Sequence, residues 1–127
     1  MKLDRPICIF DLEATGTNVL EDRIVDVCVL RREPDGRESV FSSLINPGVS
    51  IPPEATAIHH ITDEMVKDEP RLIDLAPQLL EIFKGADLAG FNAAKYDIPL
   101  LSAELKRAGI NWPGEGRRRW HRQEKRQ

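Results

Sequence analysis

The chain has 127 residues, 41% hydrophobic and 31% charged, which suffices for one domain with a core and is too short for two. No apolar run approaches the roughly 18 residues of a membrane span, and the start Met-Lys-Leu-Asp-Arg-Pro lacks the apolar centre of a signal peptide, so a cytoplasmic, non-membrane protein is expected. The net charge of -3 divides into an acidic body, with 12 Lys+Arg against 19 Asp+Glu over residues 1–113, and a basic end, with 6 against 2 over 114–127; an acidic body argues against a DNA reader that grips phosphates over a broad basic face.

In chain order, Pro6 to Glu13 reads as a strand, and the β-branched run within Arg23 to Arg32 as a second. Glu33-Pro34-Asp35-Gly36 is a hairpin turn into a third strand, Glu38 to Ile45, giving an antiparallel meander. Asn46-Pro47-Gly48 and Ile51-Pro52-Pro53 predict an extended loop to about Ile58 with at most one helical turn. Thr62 caps a short helix, and Asp74 to Lys84 has helical apolar spacing with Pro77 in its first turn and Gly85 as its stop. Asp87 to Phe91 is a buried strand. A helix then runs to about Ala108 with Ile98, Leu101, Leu105 and Ala108 on one stripe. Beyond Gly114 neither period is present, so 114–127 is expected to be a flexible basic tail. Cys8 and Cys28 lie in strand-like runs without metal-binding spacing and predict buried thiols, not a disulfide or zinc site.

Two stretches carry chemistry. In Ile7-Cys-Ile-Phe-Asp-Leu-Glu-Ala-Thr-Gly-Thr-Asn18, strand alternation puts Asp11 and Glu13 on one face and Leu12 on the other. Adjacent carboxylates repel, and a raised pKa, a cationic partner or a divalent metal relieves them; two acids simply facing water at a strand end is the plainer reading. In Asn92-Ala-Ala-Lys-Tyr-Asp97, Asp97 falls in the first turn of a helix, where the helix dipole favours a negative charge.

Together, Phe10-Asp11-Leu12-Glu13-Ala14-Thr15-Gly16, Ile58-His59-His60-Ile61-Thr62 and Asn92 to Asp97 resemble the successive motifs of the DEDD 3′-5′ exonucleases, the superfamily of the polymerase III proofreading subunit, with His60 where glycine is usual. The resemblance covers about residues 6 to 110. It implies an α/β fold, a ribonuclease-H-like mixed sheet flanked by helices, and hydrolysis of the 3′-terminal phosphodiester with two Mg2+ or Mn2+ ions. Asp11, Glu13 and Asp97 would be the catalytic metal ligands. Thr15, Leu12, Ile58, His59, Asn92 and Tyr96 would meet the 3′ end of a single-stranded nucleic acid.

The superfamily's third motif, a histidine or tyrosine followed by the fourth acid, has no counterpart. No Asp follows Asp97, and five residues beyond His121 stands Arg126. The sheet is therefore expected to be C-terminally incomplete, lacking its final strand and helix, with impaired activity and an open edge inviting a homodimer. Two other readings compete. A non-catalytic remnant would bind nucleic acid or a partner through Trp120 and the arginines around it; an aspartyl-nucleophile phosphotransferase would need a downstream lysine and acidic pair instead of the Asn92–Asp97 segment.

Overall fold

β1 (Ile7–Ala14) is the strand on which the sheet is built. It pairs antiparallel with β2 (Ile24–Arg32), which pairs antiparallel with β3 (Glu38–Leu44), as the alternating apolar pattern and the Pro34-Asp35-Gly36 turn predict. On its other side β1 pairs in parallel with β4 (Asp87–Gly90), whose four residues are all buried. A computed structural model of the chain describes residues 4–90, 93–112 and 120–122. Among these the strand order is β3-β2-β1-β4-β5, with β5 (Trp120–Arg122) at the edge, a mixed sheet with β1 at its centre.

The crossover from β3 to β4 carries three helices, α1 (Pro53–His59), α2 (Asp63–Val66) and α3 (Leu72–Phe83). A single π-helical turn, Ala93–Asp97, then opens α4 (Ile98–Arg107). Leu72, Leu75, Ala76, Leu79 and Phe83 line one side of α3, and Ile98, Leu101 and Leu105 one side of α4. Both stripes close over Cys8, Phe10, Leu12, Val27 and Val29 to form the main core, with Phe83 set edge-on to Phe10 at 5.2 Å between ring centres. Among the described residues no helix is long and apolar enough to cross a membrane.

A β-bulge separates Glu13 from Ala14: Glu13 faces Asp26, but Ala14 faces Ile24. Val25 is the additional residue. It turns into a second, smaller core with Ile51, Ala55, Ile61 and Val66, which seats α1 and α2.

Several expectations require correction. Residues 46–52 are the expected loop, but Pro53–His59 form a two-turn helix where one turn was expected, because Pro53 sits at the first helical position, where its missing N–H costs nothing, and Glu54 complements the helix dipole. α3 begins at Leu72, so Pro77 lies in the helix interior; the hydrogen bond it omits would have gone to the carbonyl of Ile73, on the exposed side of the helix. Neither cysteine forms a disulfide, and Cys8 is buried as expected, but Cys28 is exposed, since the register sets it opposite Asp11 on the open face. The sheet also has the strand that was expected to be missing: β5 (Trp120–Arg122) pairs in parallel with β4 at Leu88, Ala89 and Gly90. Three residues are too few to show a period, and backbone pairing needs none. The edge of β4 is thus occupied, which removes the argument for a homodimer through it. The rest of the basic segment lies outside the described residues.

α1 ends in a left-handed residue, His60 (φ 65°, ψ 14°), whose N–H closes the helix on the Thr56 carbonyl at 2.7 Å. This is the position at which the resemblance places glycine, and a side chain there is strained. His60→Gly is expected to stabilise the chain by about 0.5–1 kcal/mol, raising the thermal midpoint by about 2–4 °C. Thermal melting followed by circular dichroism checks this; an unchanged or lowered midpoint contradicts it.

Candidate active site

β4 runs parallel to β1, so the chain leaves both strands at the same end of the sheet. Asp11 and Glu13 stand at that end of β1, and the turn after β4 returns Asp97 to the same place. Asp11 is exposed, Leu12 is buried in the main core and Glu13 is half-buried, the alternation that a strand imposes. Leu12, Glu13, Ile58, His59, Tyr96 and Asp97 meet around one cavity of about 380 Å³, walled on the loop side by Gly16, Thr17 and Val19. That volume suits a small ligand or one terminal residue of a polymer. Ile58 and Tyr96 are 78% and 36% exposed, so the cavity has an apolar rim open to solvent.

Asp97 is only 8% exposed and has no hydrogen-bond or ion-pair partner among the described residues. Burial first, then the nearby charges of Asp11 and Glu13, push its pKa up from 3.8 to about 7. Glu13 is raised as well, by burial and then by Asp11, with His59 drawing it back and Asp26 adding to the rise. Asp26 is itself raised, first by burial; the Val27 amide opposes this and Asp11 adds to it.

Asp26 was not anticipated from the sequence. It faces Glu13 directly across the β1–β2 pair, and the clue was available: within a β-branched strand the acid at 26 has the opposite parity to Val25, Val27 and Val29.

His59 holds the cavity together. Its Nδ1 accepts from the Ile61 amide at 3.0 Å, so Nε2 carries the proton and donates to the Ala14 carbonyl at 3.0 Å. Both ring nitrogens are engaged, which ties the end of α1 to the end of β1 and makes His59 a latch, not a proton acceptor.

Thr15 takes a different place from the one expected. Its buried hydroxyl donates to Asp22 Oδ1 at 2.8 Å and accepts from the Arg23 amide at 3.0 Å, and its side chain is absent from the cavity lining. Asp22 also takes the Asn18 amide at 2.8 Å, and its carboxylate lies so close to Gly16 that a Cβ there would meet Oδ2 at 2.5 Å. Thr17, two residues on, faces the cavity instead. Asn92 lies outside the described residues.

The donors are all carboxylate oxygens, which suit a hard divalent cation, and crowded like charges around a buried, unpartnered Asp97 are the environment such an ion relieves. Among the described residues no three His, Cys, Asp or Glu side chains are yet gathered into one coordination shell. The set fits the cation in kind, and closing on it requires side-chain movement.

The profile of the RNase T exonuclease family matches residues 8–123. The chain is 38% identical over 96 residues to the DNA polymerase III subunit epsilon of Treponema pallidum, covering 76% of this chain and 44% of that one. It is 30% identical over 104 residues to the epsilon subunit of Aquifex aeolicus, covering 82% and 51%. The chain therefore spans about half the length of these relatives. Its fold matches that of E. coli exonuclease I solved with a dT13 oligonucleotide, with a TM-score of 0.79 at 16% identity over 94% of this chain and 27% of the other.

Proposed function

We propose, from the premise that this chain belongs to the RNase T exonuclease family, that it hydrolyses phosphodiesters stepwise from the 3′ end of a single-stranded nucleic acid, using divalent cations held by Asp11, Glu13 and Asp97. The observation that carries this is Asp97: buried, unpartnered among the described residues, and raised to about 7 by its burial and two neighbouring carboxylates at the mouth of a cavity. Such a site accumulates negative charge that a polyanion alone would worsen, so cations must enter with the substrate. Magnesium or manganese, when bound, neutralises charge on the phosphoryl group and makes water a better nucleophile at neutral pH.

The remaining roles belong to the chain's own groups. Leu12, Ile58 and Tyr96 offer apolar surface to the terminal base and sugar, with Asn92 as a further contact on the same motif. His59 holds that surface against β1. Thr15 acts on the nucleotide only indirectly, by fixing the turn that presents Gly16 and Thr17. Within the 127 residues no Asp follows Asp97, so these residues by themselves carry three of the four acids that the resemblance implies. Lack of a general base typically costs about 10²- to 10⁴-fold in rate, so slow turnover is the expectation for these 127 residues on their own.

Digestion of 5′-labelled single-stranded DNA and RNA with magnesium or manganese, beside Asp11→Ala and Asp97→Ala, is the test. Slow loss of nucleotides from the 3′ end, abolished by EDTA and by either substitution, is expected. Trimming that survives both substitutions, or no trimming at all, refutes the proposal.

A further inference from the structure

α4 connects the two sides of the cavity. At its start stands Asp97; ten residues on, about 15 Å along the axis, stands Arg107. Arg107 donates from Nη1 to the Leu20 carbonyl at 2.6 Å and from Nη2 to the Asp22 carbonyl at 3.2 Å. One turn earlier, the Glu104 carboxylate accepts the amide of Ile24, the first residue of β2. Glu104 and Arg107 therefore grip both the loop that joins β1 to β2 and the strand that follows it. Gly16, Thr17 and Val19 of that loop are the cavity wall.

We infer that Glu104 and Arg107 are positioning residues that hold this wall at a fixed spacing from Asp97, and so set how tightly the site takes the end of a single strand. The inference rests on the nucleic-acid reading above and adds to it two residues that touch neither substrate nor acids. The grip is local: inside the loop, Asn18 and Asp22 bond each other and Thr15 bonds Asp22, so the loop is a rigid unit whose placement depends on what holds it from outside.

Charge and positioning predict opposite results. Removing the Glu104 carboxylate lessens repulsion of phosphate and by charge alone tightens binding; loss of the grip weakens it. Arg107→Lys keeps the charge, but a point donor does not span two carbonyls as the guanidinium fork does.

The experiment is fluorescence anisotropy of a short 5′-labelled oligothymidylate with phosphorothioate linkages that slow hydrolysis, with magnesium present so that cations accompany the strand, and amide hydrogen exchange over residues 16–24 on the same proteins. Glu104→Ala and Arg107→Lys are expected to weaken binding about five- to tenfold and to speed exchange at Asn18 and Asp22. Glu104→Gln, whose amide oxygen still accepts from Ile24, is expected to restore both. Equal or tighter binding by folded Glu104→Ala, or unchanged loop exchange in both variants, overturns the inference; if Glu104→Ala fails to fold, Arg107→Lys decides alone. Failure of the unaltered chain to bind refutes the nucleic-acid reading instead, and the grip is then judged on exchange.

Discussion

Asp97→Asn is expected to stabilise the cation-free chain at pH 8 while abolishing the hydrolysis proposed above. In the folded state the carboxyl titrates at about 7, against 3.8 when exposed. A carboxyl whose pKa is raised by folding binds more protons folded than unfolded, so stability falls as pH climbs from about 4 to about 7 and stays at the lower level above it. The displacement corresponds to roughly 4 kcal/mol at most; water at the cavity mouth and the unpaired asparagine amide reduce the expected gain to roughly 2 kcal/mol. That is a rise of about 7 °C in thermal midpoint at pH 8, shrinking to nothing near pH 4. Calorimetry in EDTA across this range checks it. A variant no more stable than its parent at pH 8 would show that the acids do not strain the fold.

Magnesium or manganese should produce the complementary result. At about a hundred times its dissociation constant a ligand specific for the folded state adds about 2.7 kcal/mol, roughly 10 °C here. The gain should be full at pH 8. It should fade towards pH 5.5, where Asp97 holds a proton that the ion must displace, with apparent affinity dropping about tenfold per pH unit below 7. Asp11→Ala should remove the shift at both pH values. Melting curves with and without 10 mM metal, an amount chosen as roughly saturating for a weak oxygen site, give the answer; a shift independent of pH, or one retained in Asp11→Ala, would place the ion elsewhere.

What the sequence disclosed follows from which forces act locally. Period-two alternation marks the meander, and the 72, 75, 76, 79, 83 spacing marks α3, because each face of an element is chosen by one core. The acids Asp11, Glu13 and Asp97, which the fold gathers at one end of the sheet, were legible as short motifs with the turn chemistry beside them. Asp26, Cys28 and the changed role of Thr15 were not, because each depends on what lies across a strand pair or loop, and register is a property of two segments at once. β5 escaped notice because a parallel edge strand is held by backbone groups that every residue carries. His59 showed itself as a candidate, but its role as a latch follows from carbonyl and amide partners 45 and two residues away.

The bulge at Val25 has a thermal meaning. It lets one strand serve two cores of unequal size, and the smaller, built from Val25, Ile51, Ala55, Ile61 and Val66, supports the helix that supplies Ile58 and His59 to the cavity. Local opening free energy follows buried apolar contact, so the α1–α2 wing is the weaker half of the molecule. The acids and the Ile58–His59 rim thus rest on cores of different size that meet at a single peptide of β2, and on the reading proposed above the surface offered to a nucleotide opens more readily than the sheet that carries the acids.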